Sequence, residues 1–192
     1  MTQESKKTIL ELAKTLEALI FGDFILSSGQ KSKYYFDGRI LTLSATGSYL
    51  VGEAILEEVH NYGADQIGGP TLGADPIVSS VILTSYLKGS PIDGFLVRSS
   101  SKSHGTEQLI EGPISRKPTT ERKPRVLIVD DVCTSGGSLF HSISVAETHG
   151  CEVVCVAVIL DRKQGGSDAI RHRGYSFVSL LEASQEGSVT IS

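Results

Sequence analysis

Two apolar runs without a polar break, VLIV at 126–129 and VVCVAVIL at 153–160, stand on either side of a segment from about Gly137 to His149 with helical spacing. Strands that read this way are buried on both faces, because a strand with one wet face alternates polar and apolar residues. Strand, helix and strand in that order need a crossover between parallel neighbours, so the expected fold class is α/β, a parallel sheet flanked by helices. Ile9, Leu12, Ala13, Leu16, Leu19 and Ile20, and again Val51, Ala54, Ile55 and Val59, recur at the spacing of amphipathic helices. DFILSSGQKSKYYFDGR reads as short strands around a Ser-Gly turn, and DQIGG and IDGFLVR read as strands around a helix from about Asp75 to Leu87. From Ser99 to Lys123 there is no apolar period. A loop of that length in a compact domain is a functional lid or a disordered segment.

The first apolar run leads straight into Asp130 and Asp131, and CTSGGS follows. In an open parallel sheet, ligands lie beyond the carboxyl ends of the strands, where the next helix points free N–H groups outward. Glycines there permit close backbone approach, hydroxyls donate, and the helix dipole favours an anion, so the loop suits a phosphate monoester. Adjacent carboxylates are costly to bury unpaired, but they suit vicinal sugar hydroxyls or a hydrated cation such as magnesium. Phosphate below and diol above describes a ribose 5-phosphate. A plain turn with a helix cap is the other reading of the same residues. A Walker loop is excluded, because no lysine follows the glycines.

Composition narrows the setting. At 192 residues and 40% hydrophobic content the chain is long enough for a sizeable core, and residues 1–192 are expected to form one domain. A net charge of -4 argues against a general nucleic-acid or membrane-surface partner. The N-terminus lacks the layout of a signal peptide and no apolar run is long enough to span a bilayer, which points to a cytoplasmic protein. The three cysteines Cys133, Cys151 and Cys155 are an odd number without CxxC spacing, so they are expected to be reduced. Cys133 reads as a small filler with no histidine near it in sequence, and Cys151 and Cys155 as core residues on one strand face.

VLIVDDVCTSGGS resembles the phosphoribosyl pyrophosphate (PRPP) signature of the type I phosphoribosyltransferases. Three further stretches in order, SGQKSKYYFDGR, GGPTLGADPI and KSHGTEQLIEGP, together with LDRKQGG, resemble the orotate phosphoribosyltransferase branch over roughly residues 20 to 166. The resemblance implies a small N-terminal hood over about 1–40, a core over about 41–180 and a long mobile catalytic loop over about 99–123. It further implies a homodimer in which that loop reaches over the neighbour's site.

For individual residues, the resemblance implies that Asp130 and Asp131 bind the ribose hydroxyls and screen positive charge on the sugar. Val132, Cys133, Thr134, Ser135, Gly136, Gly137 and Ser138 would form the 5-phosphate loop, and Thr71, Leu72, Gly73, Ala74 and Asp75 the pyrophosphate loop. Arg98, Lys102 and His104 would meet the pyrophosphate, with Lys102 catalytic. Tyr35, Phe36, Thr134 and Arg162 would hold orotate, the guanidinium matching its planar carboxylate. Alternatives stand beside these roles: one of Tyr34, Tyr35 and Phe36 is an ordinary strand aromatic, Arg162 pairs with Asp161 or a helix end, and His104 is a solvated loop residue. No resident metal site is expected, magnesium (Mg2+) being carried by PRPP.

Departures from the family pattern concern charge. Many members carry Arg-Lys where this chain has Arg98-Ser99, and some place lysines at Ser27 and Gly73. The implied reaction is transfer of ribose 5-phosphate from PRPP to orotate, giving orotidine 5-phosphate and pyrophosphate in pyrimidine biosynthesis. A transferase for another base, or a non-catalytic PRPP sensor, would use the same signature.

Overall fold

The computed structural model describes residues 2–25, 29, 31–100, 109–114, 122–184 and 186–192. Helix α1 (Gln3–Thr15) starts where the Thr2 hydroxyl accepts the Ser5 N–H at 3.2 Å, and it buries Ile9, Leu10 and Ala13. Its apolar period runs on to Ile20, yet the helix stops at Thr15, because Glu17 takes a left-handed φ of 56°. Leu19 and Ile20 instead enter β1 (Leu19–Ile25), where they pair with Phe36 and Tyr35 of the antiparallel β2 (Lys31–Phe36). Here strand pairing wins over the helical period.

After this two-stranded hairpin come α2 (Gly38–Thr42), α3 (Ala45–Asn61), β3 (Gln66–Pro70), α4 (Ala74–Leu87) and β4 (Asp93–Val97). The remaining elements are β5 (Ile110–Glu111), β6 (Arg125–Cys133), α5 (Gly137–Thr148), β7 (Glu152–Asp161), α6 (Gly166–His172), β8 (Phe177–Ala183) and β9 (Val189–Ile191). Two of them revise the sequence reading. The stretch read as loop from Ser99 contains β5, which pairs antiparallel with Leu96 and Val97. Strand β6 does not stop before the acidic pair but carries it, Asp130 pairing with Val158 and Val132 with Leu160.

The main sheet has the order β5-β4-β3-β6-β7-β8-β9, with β3, β4, β6, β7 and β8 parallel and the two edge strands antiparallel. Alternation along β6 sends Val126 and Ile128 to one face, against Leu139 and Ile143 of α5 and Ile170 of α6. Leu127 and Val129 face the other way, toward α1, α3 and α4. Ile128 is fully buried, and its truncation to Ala would cost about 2–5 kcal/mol. Cys151 and Cys155 are both buried, but they lie in clusters on opposite sides of the sheet. The cause is a register shift, Val126 pairing with Val153 and Leu127 with Cys155, which breaks the alternation expected of them.

From β3 the chain crosses through α4 to β4 on one side, and from β6 it crosses through α5 to β7 on the other. The neighbouring carboxyl ends of β3 and β6 therefore diverge, and a crevice opens between their following loops. No helix among the described residues is long and apolar enough to cross a membrane.

Candidate active site

Asp130 and Asp131 stand on the β6 side of this crevice and differ in exposure. Asp130 is only 6% exposed; its Oδ1 accepts the Asp131 N–H at 2.9 Å and its Oδ2 accepts the Ser138 hydroxyl at 2.9 Å. Burial, and then the charge of Asp131, pushes the Asp130 carboxyl up to about 7. Burial also raises that of Asp131, with the Asp130 side chain and the Val132 N–H acting in the opposite direction. Asp131 lines a cavity of about 320 Å³ with Tyr35, Phe36, Asp37, Arg39, Leu72 and Gly73.

Gly73 and Gly38 close around the pair. A Cβ at 73 would lie 2.5 Å from Asp130 Oδ1 and 2.6 Å from Asp131 Oδ1, and one at 38 would lie 2.5 Å from the Asp131 Cβ. Only a residue without a side chain lets the β3 loop and the start of α2 approach the carboxylates this closely. In the β3 loop, the Thr71 N–H donates to Val97 O at 3.0 Å and the Thr71–Leu72 peptide is cis. Ala74 and Asp75 already belong to α4, and burial pushes the Asp75 carboxyl up.

Beyond β6, Gly136 takes φ 81° to turn Thr134 and Ser135 into α5, whose N-terminus has no side-chain cap. Uncapped N–H groups at the start of a twelve-residue helix are a ready site for a phosphate. The loop is braced from the β7 side, where the Arg162 N–H donates to Cys133 O at 2.9 Å and the Gly166 N–H to Thr134 O at 3.0 Å. Cys133 is fully buried and its thiol is pushed up to about 12 by burial, so it is inert filler under the loop.

Arg162 opens on a second cavity of about 550 Å³, shared with Lys31, Ser32, Lys33, Tyr34 and Lys163. It pairs with neither Asp161 nor a helix end: its Nε donates to the Tyr34 hydroxyl and its Nη2 to Ser32 Oγ at 3.3 Å. Lys163 takes the acidic partners instead, with Nζ 3.0 Å from Glu182 and 3.8 Å from Asp161. Arg98 leaves β4 with its Nη1 3.4 Å from Glu111 Oε1.

The phosphoribosyl transferase domain model matches residues 53–179. The orotate phosphoribosyltransferase of Corynebacterium glutamicum (strain R) is 38% identical over 184 residues, covering 96% of this chain and 95% of that one. The chain belongs to the orotate phosphoribosyltransferase family. The crystal structure of Mycobacterium tuberculosis H37Rv orotate phosphoribosyltransferase with Fe(III) dicitrate superposes with a TM-score of 0.77 at 35% identity, covering 93% of this chain and 96% of that chain. The crystal structure of the same enzyme in complex with PRPP gives a TM-score of 0.73 at 32% identity, with the same coverage.

Of the residues expected to serve an orotate phosphoribosyltransferase, Asp131, Tyr35, Phe36, Leu72 and Gly73 meet around one cavity, beside the Thr134–Ser138 loop. Arg162 faces the other cavity flanking β2, with Tyr34. Lys102 and His104 lie outside the described residues. Tyr34 is the ordinary core aromatic of the three, 4% exposed, yet its hydroxyl is the contact that fixes Arg162. Sequence reasoning missed that contact, and it missed Ser32, Gly38 and Arg39. Alternation along β2 was the available signal, since Tyr34 and Tyr35 must face opposite ways.

Proposed function

We propose that the protein transfers the ribose 5-phosphate unit of PRPP to N1 of orotate, releasing pyrophosphate, as its family name implies. The observation that carries the site assignment is the convergence of Asp131, the Leu72–Gly73 turn and Tyr35–Phe36 on one cavity at the point where the strand order reverses. On this reading the uncapped start of α5 holds the 5-phosphate, the acidic pair takes the ribose hydroxyls, and the β3 loop receives the pyrophosphate. Orotate is assigned to Tyr35 and Phe36 and its carboxylate to Arg162, whose Nε is taken by Tyr34 and whose Nη2 lies 3.3 Å from Ser32 Oγ, which leaves Nη1.

Catalysis is then electrostatic. Positive charge grows on the sugar as the bond to pyrophosphate lengthens, and Asp131 faces the place where it grows. Asp130, buried behind it, orients the pair through Ser138 and keeps the second charge close. Orotate is an anion at neutral pH and needs no strong base, and no side chain has to act as a nucleophile. The donor set suits magnesium, since a carboxylate facing a wet cavity beside an incoming polyphosphate is how that ion is usually shared. The ion would arrive on PRPP, with Asp131 near it, and would supply neutralisation of the leaving pyrophosphate.

The assembly we propose is a homodimer with shared sites. Tyr49 on α3 and Leu83, Tyr86 and Leu87 on α4 are exposed large apolar residues, an arrangement that marks an interaction face. A cytoplasmic setting agrees with three free, buried cysteines. The test is incubation of the purified protein with magnesium, PRPP and a panel of orotate, uracil, adenine and hypoxanthine, following pyrophosphate release. Turnover with orotate alone is expected. Turnover with a purine and not orotate excludes the assignment, and PRPP binding without any turnover identifies a sensor.

A further inference from the structure

Arg39 stands opposite the β3 loop with no role in the expected site. Its guanidinium meets Asp37 through one edge, Nε donating to Oδ1 at 2.9 Å and Nη2 to Oδ2 at 2.9 Å, while its backbone N–H donates to the same Oδ1 at 3.0 Å. The Arg39 side chain bonds hold the Asp37 carboxyl below its ordinary range, so the pair stays ionised near neutral pH. One edge of a guanidinium is two of its donor directions. Nη1 and the outer proton of Nη2 remain available to a second anion.

The position of that free edge matters. Arg39 is the only cationic side chain among the described residues that line the cavity shared by Leu72, Gly73 and Asp131. The loop across the cavity cannot carry a cation of its own at 73, because any Cβ there would collide with both carboxylates. Position 99, just beyond β4 and Arg98, is an exposed serine. A polyanion entering this cavity meets the carboxylates of Asp37 and Asp131, and among the described lining residues Arg39 is the one that offers it positive charge.

We infer that Arg39 is a binding residue for the pyrophosphate group, on PRPP and on the released product, and that Asp37 is the residue that positions it. The inference rests on the transferase reading for its ligand and deepens it. Asp37 fixes the inner edge of the guanidinium, and the outer edge presents a planar fork to diphosphate oxygens. Product release is the reverse of the same contact.

The test is titration of pyrophosphate with magnesium present, together with the Michaelis constants for PRPP and orotate, in Arg39→Gln, Arg39→Ala and Arg39→Lys. Removal of the charge in either neutral variant is expected to weaken pyrophosphate and PRPP about tenfold, the factor for one charge-assisted contact of ordinary strength. Arg39→Lys should recover most of the loss. The KM for orotate and inhibition by ribose 5-phosphate, which lacks the pyrophosphate, should stay as in the wild type. Pyrophosphate affinity unchanged in both neutral variants overturns the inference. Equal weakening of pyrophosphate and ribose 5-phosphate overturns it too, because it marks a general disturbance of the hood. Pyrophosphate binding is read without turnover, so a protein that used another base would fail the base panel and leave this test standing. Orotate turnover by the wild type with unaltered pyrophosphate affinity in the variants removes Arg39 alone.

Discussion

The Tyr34 hydroxyl accepts a hydrogen bond from Arg162 Nε at 2.9 Å, and the Arg162 guanidinium carbon lies 4.8 Å from the centre of the Tyr34 ring. The β1–β2 hairpin thereby sets the direction of a side chain that follows β7. Tyr34→Phe keeps the ring and removes the acceptor. A hydrogen bond to a charged group contributes about 1.5–3 kcal/mol, and part of it goes into aiming the guanidinium. We expect the KM for orotate to rise about tenfold. The KM for PRPP and kcat should change little. Steady-state kinetics with each substrate varied in turn decides this, and a KM for orotate equal to the wild type would show that Arg162 aims itself.

Asp130 gives the protein a pH-dependent stability. Its carboxyl, ordinarily at 3.8, is pushed up to about 7, so between these values the folded state holds a proton that the unfolded chain has lost. Unfolding then releases a proton, and stability falls as pH rises through this window. Asp130→Asn keeps the shape without the charge. At pH 8 the variant should melt about 4 °C or more above the wild type, with the difference shrinking toward pH 4. Its turnover should fall about 10²-fold. Calorimetry across this range checks the first point, and parallel pH dependence in the two proteins counts against it.

Ser99 is exposed just beyond β4 and Arg98. Ser99→Lys adds a cation beside Arg98, and PRPP should bind about threefold more tightly at low salt. The gain should vanish near ~1 M salt, where screening acts within about 3 Å. Titration at both ionic strengths reads the effect, and no gain at low salt would mean that residue 99 points away from the ligand.

The proposal of a homodimer with shared sites makes a numerical forecast. Lys102→Ala and Asp131→Asn should each be nearly inactive alone. Unfolded and refolded together, about half the dimers are mixed, and one of the two sites in each is intact, so roughly a quarter of wild-type activity should return. Mixed dimers confirmed by mass and devoid of activity would place Lys102 in its own chain's site.

The central strands were legible because burial on both faces leaves short unbroken apolar runs, and TSGGS was legible as a small-residue turn into the helix that follows β6. The end of α1 was not, since Leu19 and Ile20 continue a helical period while their backbone pairs with Phe36 and Tyr35. The place of Asp130 and Asp131 inside β6 was hidden because charge usually ends a buried strand. Residues that act through partners distant in the chain were hardest. Tyr34 looks like any strand aromatic, Ser32 like any turn hydroxyl, and Arg39 like a surface charge, until the sheet brings Arg162 and Gly73 beside them. The end of the chain, with α6, β8 and β9, carried no motif that pointed to the site.

The hairpin of β1 and β2 forms a sheet of its own, and Arg162, the partner of Tyr34, lies 128 residues further along the chain. During synthesis from the N-terminus this hairpin is finished before β6 and β7 exist, with Phe21 and Ile25 open to water in the completed fold and Tyr34 lacking its seat until the later strands arrive. The proposed contact between Arg162 and orotate is thus a late event in maturation. A chain interrupted before β7 carries the hairpin without Arg162, the partner of the Tyr34 hydroxyl.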